Sequence, residues 1–475
     1  MTSRGKSHPV RGKSTARQTA LWVLGDMREG RRTARESLQA LVDAAGLVDE
    51  DRGLCLELVM GVVRHRLTLV AALRDLTPRG WQRVNRQLQD VLLLGAYQLI
   101  WLDRIPAFAA INESVELAKA RGGVRTGRFV NAVLRQLERD LEPETQRLKE
   151  ANPRRAIAVD RENCRVLTRD VFDDPADNQV EFLSQSYSVP SWLVKRWIHT
   201  HGLASTTKIC RAATLRPPTF LRANRLRVDP DTLMKQLRHE GVQVRALPDG
   251  QACVVEDGRA WTQTRAFAQG WLQAQDRSAM NVALRMQPVA GEVIVDLCAG
   301  LGTKTTQMAE LMEDQGTVLA VDKDVVKLEA LKTNAERLGL TCIRTVALDA
   351  IADALQETGP PNWILVDAPC SNSGVLARRP EARYRIGDAS LKKLANVQFS
   401  LLERAAALAG PDTWIAYSTC SIEPEENEQV VTRFIQAHAG WRVVETHLAL
   451  PSAGNDDIAW RDGAFWAMLV REFKR

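Results

Sequence analysis

Apolar residues recur at spacings of three and four through six runs between Ala16 and Leu141: ARQTALWVLGDM, ARESLQALVDAA, LCLELVMGVVRHRLTLVAAL, LQDVLLLGAYQLIWL, AINESVELAKA and GRFVNAVLRQLERDL. That spacing lines one face of a helix with apolar groups, and Gly, Pro, Asn or Asp punctuates most of the gaps, so the region is predicted to be all-helical. Arg64, His65, Arg66, Arg121, Arg125 and Arg128 fall near helix ends and loops, where solubilisation alone accounts for them.

The pattern changes at ANPRRAIAVDRENCRVLTRDVFDDPADNQ, which holds two short alternating or β-branched runs and then an acidic, Pro-containing stretch; it reads as a linker or small insertion. SVPSWLVKRWIHTHG and TTKICRAA then read as short helices, and PPTFLRANRLRVDPDTLMKQLRHEGVQVRAL as strand, loop, helix, strand. Phe220, Arg222, Asn224, Arg225 and Arg227 give this small module a basic edge that either touches a phosphate backbone or faces water. From Gly291 strands alternate with helices: VIVDLCAG, TVLAVDKD, CIRTVALDA, NWILVDAPC and TWIAYSTCS, separated by runs such as LEALKTNAERLG and LANVQFSLLERAAALA. Such alternation predicts an open, largely parallel sheet covered by helices, which binds ligands at the carboxyl ends of its strands. There the chain places Asp296, Asp322, Asp349, Asp367 and Cys420.

A chain of 475 residues exceeds one ordinary core. The predicted organisation is a basic disordered tail over 1–15, a helical domain over 16–145, a linker or insertion over 146–185, a small α/β module over 186–275 and an α/β domain over 276–475. No run of about 18 apolar residues is present to cross a bilayer, and MTSRGKSHPVRGKS lacks the apolar segment of a secretory signal, so a cytoplasmic location is expected. The eight cysteines form no close C-x-x-C pair, which argues against zinc, a redox dithiol and a disulfide framework. The net charge of +6 changes little by itself, but Arg4, Lys6, Arg11, Lys13 and Arg17 stand without an acid among them, and Arg28, Arg31, Arg32 and Arg35 follow. That run is either a solvated tail or a contact for a polyanion.

Chemistry concentrates at the predicted strand ends. The loop Cys298-Ala299-Gly300-Leu301-Gly302-Thr303-Lys304 follows a strand and precedes a helix, so its glycines let backbone approach a ligand at a helix amino end. Its spacing is that of neither a phosphate loop nor a G-x-G-x-x-G fingerprint. Asp322 ends the next strand about 20 residues on, where a carboxylate can accept both hydroxyls of a ribose. Together they suggest an adenosine-containing cofactor, with a nicotinamide dehydrogenase as the competing reading. Cys370, in Asp367-Ala-Pro-Cys-Ser, and Cys420, in Tyr417-Ser-Thr-Cys-Ser, each end an apolar run. Either is accounted for singly as a small buried hydrophobe; as a pair at one sheet edge they look like a thiol site.

These motifs carry a close resemblance. The loop 298–304, Asp322, Asp349, D-A-P-C-S at 367–371 and Y-S-T-C-S-I-E-P-E-E-N-E at 417–428 resemble the motif series of the RNA 5-methylcytosine methyltransferase family. The helical region resembles the NusB-like domain of the RsmB-type ribosomal RNA enzymes, and FLRANRLRVDPDTLMKQL and GWLQAQDRSAM resemble that family's intervening module. The family loop is usually C-A-x-P-G-G-K, so Leu301 and Thr303 depart from it, as does Asn372 where a glycine is common.

The resemblance implies a NusB-like all-α domain, a small α/β module and a Rossmann-like methyltransferase domain that uses S-adenosylmethionine. Carbon 5 of cytosine is too weak a nucleophile to take a methyl group unless a nucleophile first adds at carbon 6. By resemblance Cys420 attacks, Cys370 assists proton removal or product release, Asp367 positions the base and relays a proton, and Lys304 supports it. The cofactor residues it implies are 298–304, Asp322, Asp349 and Asp367, with no metal. In DNA cytosine methyltransferases the proline-cysteine pair attacks, which would assign Cys370; the second cysteine argues for the RNA type. The implied partner is structured or partly assembled small-subunit ribosomal RNA met by a monomer, without DNA or membrane. Transfer RNA methylation and a non-catalytic RNA-binding assembly factor remain as alternatives.

Overall fold

A computed structural model describes residues 14–28, 34–258 and 260–472. Arg4, Lys6, Arg11, Lys13, Arg31 and Arg32 lie outside them, so the tail reading does not bear on the fold described. The chain divides into two compact units: Met1–Arg216 with Arg379–Tyr384, and Pro217–Arg378 with Arg385–Arg475.

The first unit begins with helices α1 (Ala16–Arg28), α2 (Ala34–Ala45), α3 (Asp49–Arg64), α4 (Arg66–Arg74), α5 (Arg86–Trp101) and α6 (Ala107–Asp140). Helix α5 buries the continuous run Val91, Leu92, Leu93 and Leu94 and is the central element of this core. The long run LCLELVMGVVRHRLTLVAAL is two helices, broken at His65. The His65 ring stacks on Trp101 at 4.1 Å, and burial, with Arg64 and Arg383 nearby, holds its pKa well below the usual range. Helix α6 absorbs two predicted runs and kinks at Gly122 and Gly123, the latter at φ 75°. The end of the predicted helical domain and the stretch read as a linker together hold a three-stranded antiparallel sheet, β1 (Leu141–Arg147), β2 (Ala156–Ala158) and β3 (Asn163–Leu167), in the order β1-β3-β2. Helices α7 (Gln179–Tyr187) and α8 (Ser191–Thr214) follow; α8 joins the two predicted short helices across Gly202 and lies in this unit.

The second unit opens with β4 (Thr219–Ala223), α9 (Pro230–His239), β5 (Val242–Ala246), β6 (Ala252–Gly258), α10 (Arg265–Ala268) and β7 (Leu272–Ala274), a four-stranded sheet in the order β5-β6-β4-β7. Its basic edge is not an open surface. Arg222 and Asn224 are buried: Arg222 pairs with Glu310 and bonds Gln275, while the Asn224 amide donates to Gly270 O and Leu338 O. Phe220 is buried as well, and Arg227 donates to Leu338 O at 3.0 Å, which leaves Arg225 as the exposed cation of the group that bonds only within the module.

The remainder is α11 (Arg277–Met286), β8 (Val293–Asp296), α12 (Thr303–Leu311), β9 (Thr317–Val321), α13 (Val325–Leu338), β10 (Ile343–Val346), α14 (Ile351–Thr358), β11 (Trp363–Asp367), α15 (Asp388–Leu408), β12 (Trp414–Thr419), α16 (Glu428–Ala437), β13 (Trp441–Ala449) and β14 (Ala464–Arg471). The seven strands lie in the order β10-β9-β8-β11-β12-β14-β13, parallel from β10 to β12. Strand β14 enters antiparallel between β12 and β13. Parallel strands covered on both faces read as continuous apolar runs, which is why VIVD, TVLAV and WILVD were legible. The polar-interleaved β13 carried no such signal, while the apolar run of β14, AFWAMLV, was not among the strands read from the pattern. Order reversal at β8 and β11 opens a crevice at their carboxyl ends, the usual ligand position in such sheets.

Candidate active site

The glycine loop is shaped by what closes around it. Gly300 and Gly302 have φ of 56° and 81°, in the left-handed region that side chains resist. A Cβ on Gly302 would also lie 2.4 Å from the Leu331 side chain. Gly302 N donates to Ala299 O and caps α12, so Thr303 begins the helix without disturbing the turn, and Leu301 points outward, exposed. Ala299 N donates to Val321 O, and Gly300 N donates to Asp322 Oδ2 at 3.0 Å, which ties the loop to the end of β9. Asp322 Oδ1 accepts from Asp324 N at 2.9 Å, so its carboxylate is held in a fixed plane. Below the loop lies Asp296, a residue the sequence placed at the sheet edge without a role. Its Oδ2 accepts from Thr305 Oγ1 at 2.7 Å, and burial pushes its pKa up to about 7. Cys298 sits among Asp296, Asp367 and Asp322, and burial with these carboxylates raises its thiol above the usual range. Asp349 is exposed in the turn after β10.

Strands β11 and β12 run parallel with Asp367 beside Ser418, so the turns that follow them share one edge. Cys370 Sγ and Cys420 Sγ are 3.1 Å apart there, fifty positions apart in sequence. The Asp367 carboxylate accepts from Lys304 Nζ at 2.6 Å on Oδ2 and from Ser418 Oγ at 2.7 Å on Oδ1. Burial disfavours the Lys304 ammonium, but Asp367 beside it outweighs that and raises its pKa. The Cys370 thiol is raised well above its ordinary range by its hydrogen bond with Cys420 and then by burial, so Cys370 rests as a neutral thiol.

Three further groups complete the site. Asn372 has φ 62°, which explains why glycine suits the position, and its amide oxygen accepts from Cys420 Sγ at 3.3 Å while its nitrogen donates to Cys370 O at 3.0 Å. Glu426 is buried behind both turns: Ser371 N donates to it at 2.8 Å and Gln398 Nε2 at 3.1 Å, with the Ser371 and Ser421 hydroxyls on its other oxygen. Burial raises its pKa against those donors. Ser418 fixes Asp367, as above. All three lie inside the motifs already singled out, D-A-P-C-S-N and Y-S-T-C-S-I-E-P-E-E, but spacing could not show what each touches. Of the other cysteines, Cys55, Cys164, Cys210 and Cys253 are set apart by burial, while Cys298 and Cys342 are partly exposed.

Comparison with known proteins agrees in order along the chain. The NusB family matches residues 14–139, an RsmF/B-like ferredoxin-like domain matches 189–259, and the family described as 16S rRNA methyltransferase RsmB/F matches 283–457. The chain is 33% identical over 427 residues to the probable ribosomal RNA small subunit methyltransferase B of Bacillus subtilis (strain 168), spanning 90% of this chain and 89% of that one. It is 31% identical over 452 residues to the ribosomal RNA small subunit methyltransferase B of Erwinia tasmaniensis, spanning 92% and 95%. Among solved structures, that of PH0851 has a TM-score of 0.71 at 21% identity, over 98% of this chain and 100% of that one. A methyltransferase homolog from Pyrococcus horikoshii has a TM-score of 0.52 at 24% identity, over 62% and 99%. At these identities the two structures bear on the fold.

Proposed function

The chain belongs to the ribosomal RNA small subunit methyltransferase B family, and on that premise we propose that it methylates carbon 5 of a cytosine in 16S ribosomal RNA, with S-adenosylmethionine as donor and Cys420 as nucleophile. The observation that carries the proposal is the pair of sulfur atoms 3.1 Å apart at the carboxyl edge of the sheet, beside a lysine-anchored carboxylate.

The residues present suit the donor. Gly300 leaves its loop face open, with Cys298 O at 3.9 Å as the nearest atom to a hypothetical Cβ, and Asp322 holds a carboxylate at that loop in the position that accepts ribose hydroxyls. Lys304 and the amino end of α12 offer positive charge to a carboxylate. Bound there, the donor supplies an electrophilic methyl group.

The remaining chemistry belongs to the chain. Cys420 Sγ, as thiolate, bonds to carbon 6 of a cytosine turned out of its stack, and the ring electrons move to make carbon 5 nucleophilic. Charge that develops at the ring's polar edge meets Asp367, whose plane Lys304 and Ser418 fix, and a proton reaches ring nitrogen 3 through this pair. After methyl transfer, carbon 5 loses its proton to a base, the bond between sulfur and carbon 6 breaks as ring nitrogen 3 gives its proton back through Asp367, and the neutral Cys370 thiol donates a hydrogen bond to the departing thiolate. Asn372 limits where the Cys420 sulfur can point.

Labelled donor and RNA fragments carrying 5-fluorocytosine test this, because fluorine blocks the last deprotonation and traps the protein on RNA. The trapped adduct is expected from the natural chain and from Cys370→Ala, and is expected to vanish in Cys420→Ala. An adduct that survives Cys420→Ala and depends on Cys370 reverses the assignment of roles.

A further inference from the structure

A cavity of about 370 Å³ lies in the second unit, lined by Arg277, Ser278, Asn281, His447, Trp460 and Arg461 among others, with no carboxylate in its lining. Its size falls within the range of small-ligand sites, roughly 300–1,000 Å³. The strand register fixes which end of the sheet it occupies. Thr419, one residue before Cys420, pairs with Phe465 at the start of β14, and Leu448 and Ala449 at the end of β13 pair with Phe465 and Ala464. His447, Trp460 and Arg461 therefore stand at the same edge as Cys420.

Backbone joins the two places directly. Gly374 N donates to Cys420 O at 3.0 Å, and Gly463 N donates to Gly374 O at 2.8 Å. A Cβ on either glycine would lie within 2.7 Å of the other segment's backbone, so this close approach requires both. Ser278 Oγ, in the cavity wall, donates to Asp462 O at 2.8 Å, and Trp460 Nε1 donates to Asp462 Oδ1 at 2.9 Å. Arg378, at the far end of the turn that bears Cys370, binds Asp276 Nη2 to Oδ2 at 2.9 Å and closes on Asp462 as well. The cavity wall and the cysteine turns are one hydrogen-bonded structure.

Its charge is poised for an anion. Arg277 is held in place by Ile458 O at 2.8 Å and has Asp249 3.4 Å away, whereas Arg461 is exposed and makes no ion pair among the described residues. His447 is exposed beside it and leans on the Trp466 ring at 5.5 Å. We propose that this cavity binds a phosphodiester group of the RNA strand next to the flipped cytosine, with Arg461 and Arg277 as the phosphate ligands and Asn281 as a neutral donor. Keeping a base out of its stack costs unpairing and unstacking energy, and phosphate contacts that fix the neighbouring backbone help to offset it; a cationic cavity joined to the Cys420 turn supplies such a contact where the base must enter. The inference rests on the RNA methylation reading for the identity of the strand, but its test does not require turnover.

The test measures binding of a fluorescent RNA hairpin with a cytosine loop over a series of salt concentrations, for the natural chain, Arg461→Glu, Arg461→Lys and Arg442→Glu. Arg442 is exposed at the start of β13, where it pairs with Val470 at the opposite end of the sheet, so its reversal changes net charge equally without touching the cavity. Arg461→Glu is expected to weaken binding by about fivefold or more and to flatten the logarithmic salt slope by about one, with Arg461→Lys near the natural chain and Arg442→Glu within about twofold of it. With the methylation assay, Arg461→Glu should raise KM for RNA and leave kcat in place; thermal unfolding confirms that each variant is folded. Equal losses in Arg461→Glu and Arg442→Glu overturn the cavity proposal while leaving the Cys420 adduct untouched. A selective loss in Arg461→Glu without any adduct in the natural chain retains the cavity and removes the methylation reading.

Discussion

Helix α12 carries an ion pair at each end, and the two are put to different uses. Near its amino end Lys304 reaches Asp367 at 2.6 Å, with side chains 14% and 32% exposed, so the carboxylate still faces the sheet edge. Near its carboxyl end Glu310 meets Arg222 with side chains 7% and 6% exposed, closed over by Gln275 and Thr306. The first arrangement leaves lone pairs for a substrate. The second spends its polar capacity on holding the small four-stranded module to the methyltransferase helices. An acid at a helix carboxyl end is disfavoured by the helix dipole, and the guanidinium offsets that cost. Similar chemistry thus gives an accessible carboxylate or a fastener, according to whether solvent can reach it.

The largest expected effect falls on the fastener. Arg222→Met leaves Glu310 buried without its partner and should cost about 3–5 kcal/mol of stability at pH 8, read from urea unfolding; adding Glu310→Leu should recover most of it. Burial pushes Glu310 up to about 7 from its ordinary 4.5, against the pull of Arg222. Between those values the folded chain holds a proton that the unfolded chain has released, so the stability contributed by this group falls as pH rises through that window. The Arg222→Met deficit should accordingly shrink at pH 6. A deficit below about 1 kcal/mol at both pH values would mean that solvent reaches the pair and that the contrast is false.

Lys304→Met at the other end should do the converse. With Asp367 free to hydrate, stability should shift by less than about 1 kcal/mol, while kcat falls about 10²–10³-fold for want of the charge that orients the carboxylate. If Lys304→Met instead unfolds the chain, the pair is a fastener too. The smallest effect is expected at Asn372→Gly. Release from a left-handed φ should keep stability within about 1 kcal/mol of the natural chain. The rate of adduct formation should drop only a few-fold as the Cys420 sulfur loses its amide acceptor. An unchanged rate would show that Asn372 serves the turn and not the thiol.

Much of this site was legible before any coordinates. The strand runs that end in Asp322, Asp367 and Thr419 announced themselves through continuous apolar residues, and two cysteines at such ends are hard to explain as packing alone. Strand β13 was missed because an antiparallel edge strand interleaves polar residues, as in WRVVETHLA; β14, AFWAMLVR, is as apolar as the parallel strands and was passed over, and only its antiparallel place between β12 and β13 needed the fold. Residues 141–145 were read as the end of the helical domain and the stretch from 146 as a linker because β1, LEPETQR, is mostly polar and becomes a strand only when β3 pairs with it.

The sequence by itself determined the local periods, the glycines at positive φ and the kinds of chemical group at each strand end, because these depend on neighbours along the chain. It could not determine which charges are sealed, since Arg222 and Arg461 look alike until the fold puts Glu310 against one and leaves the other at a cavity mouth. Nor could it place Cys370 3.1 Å from Cys420, or Glu426 behind both. Reactivity follows from distance and burial, and both are set by segments that meet only once the sheet has closed.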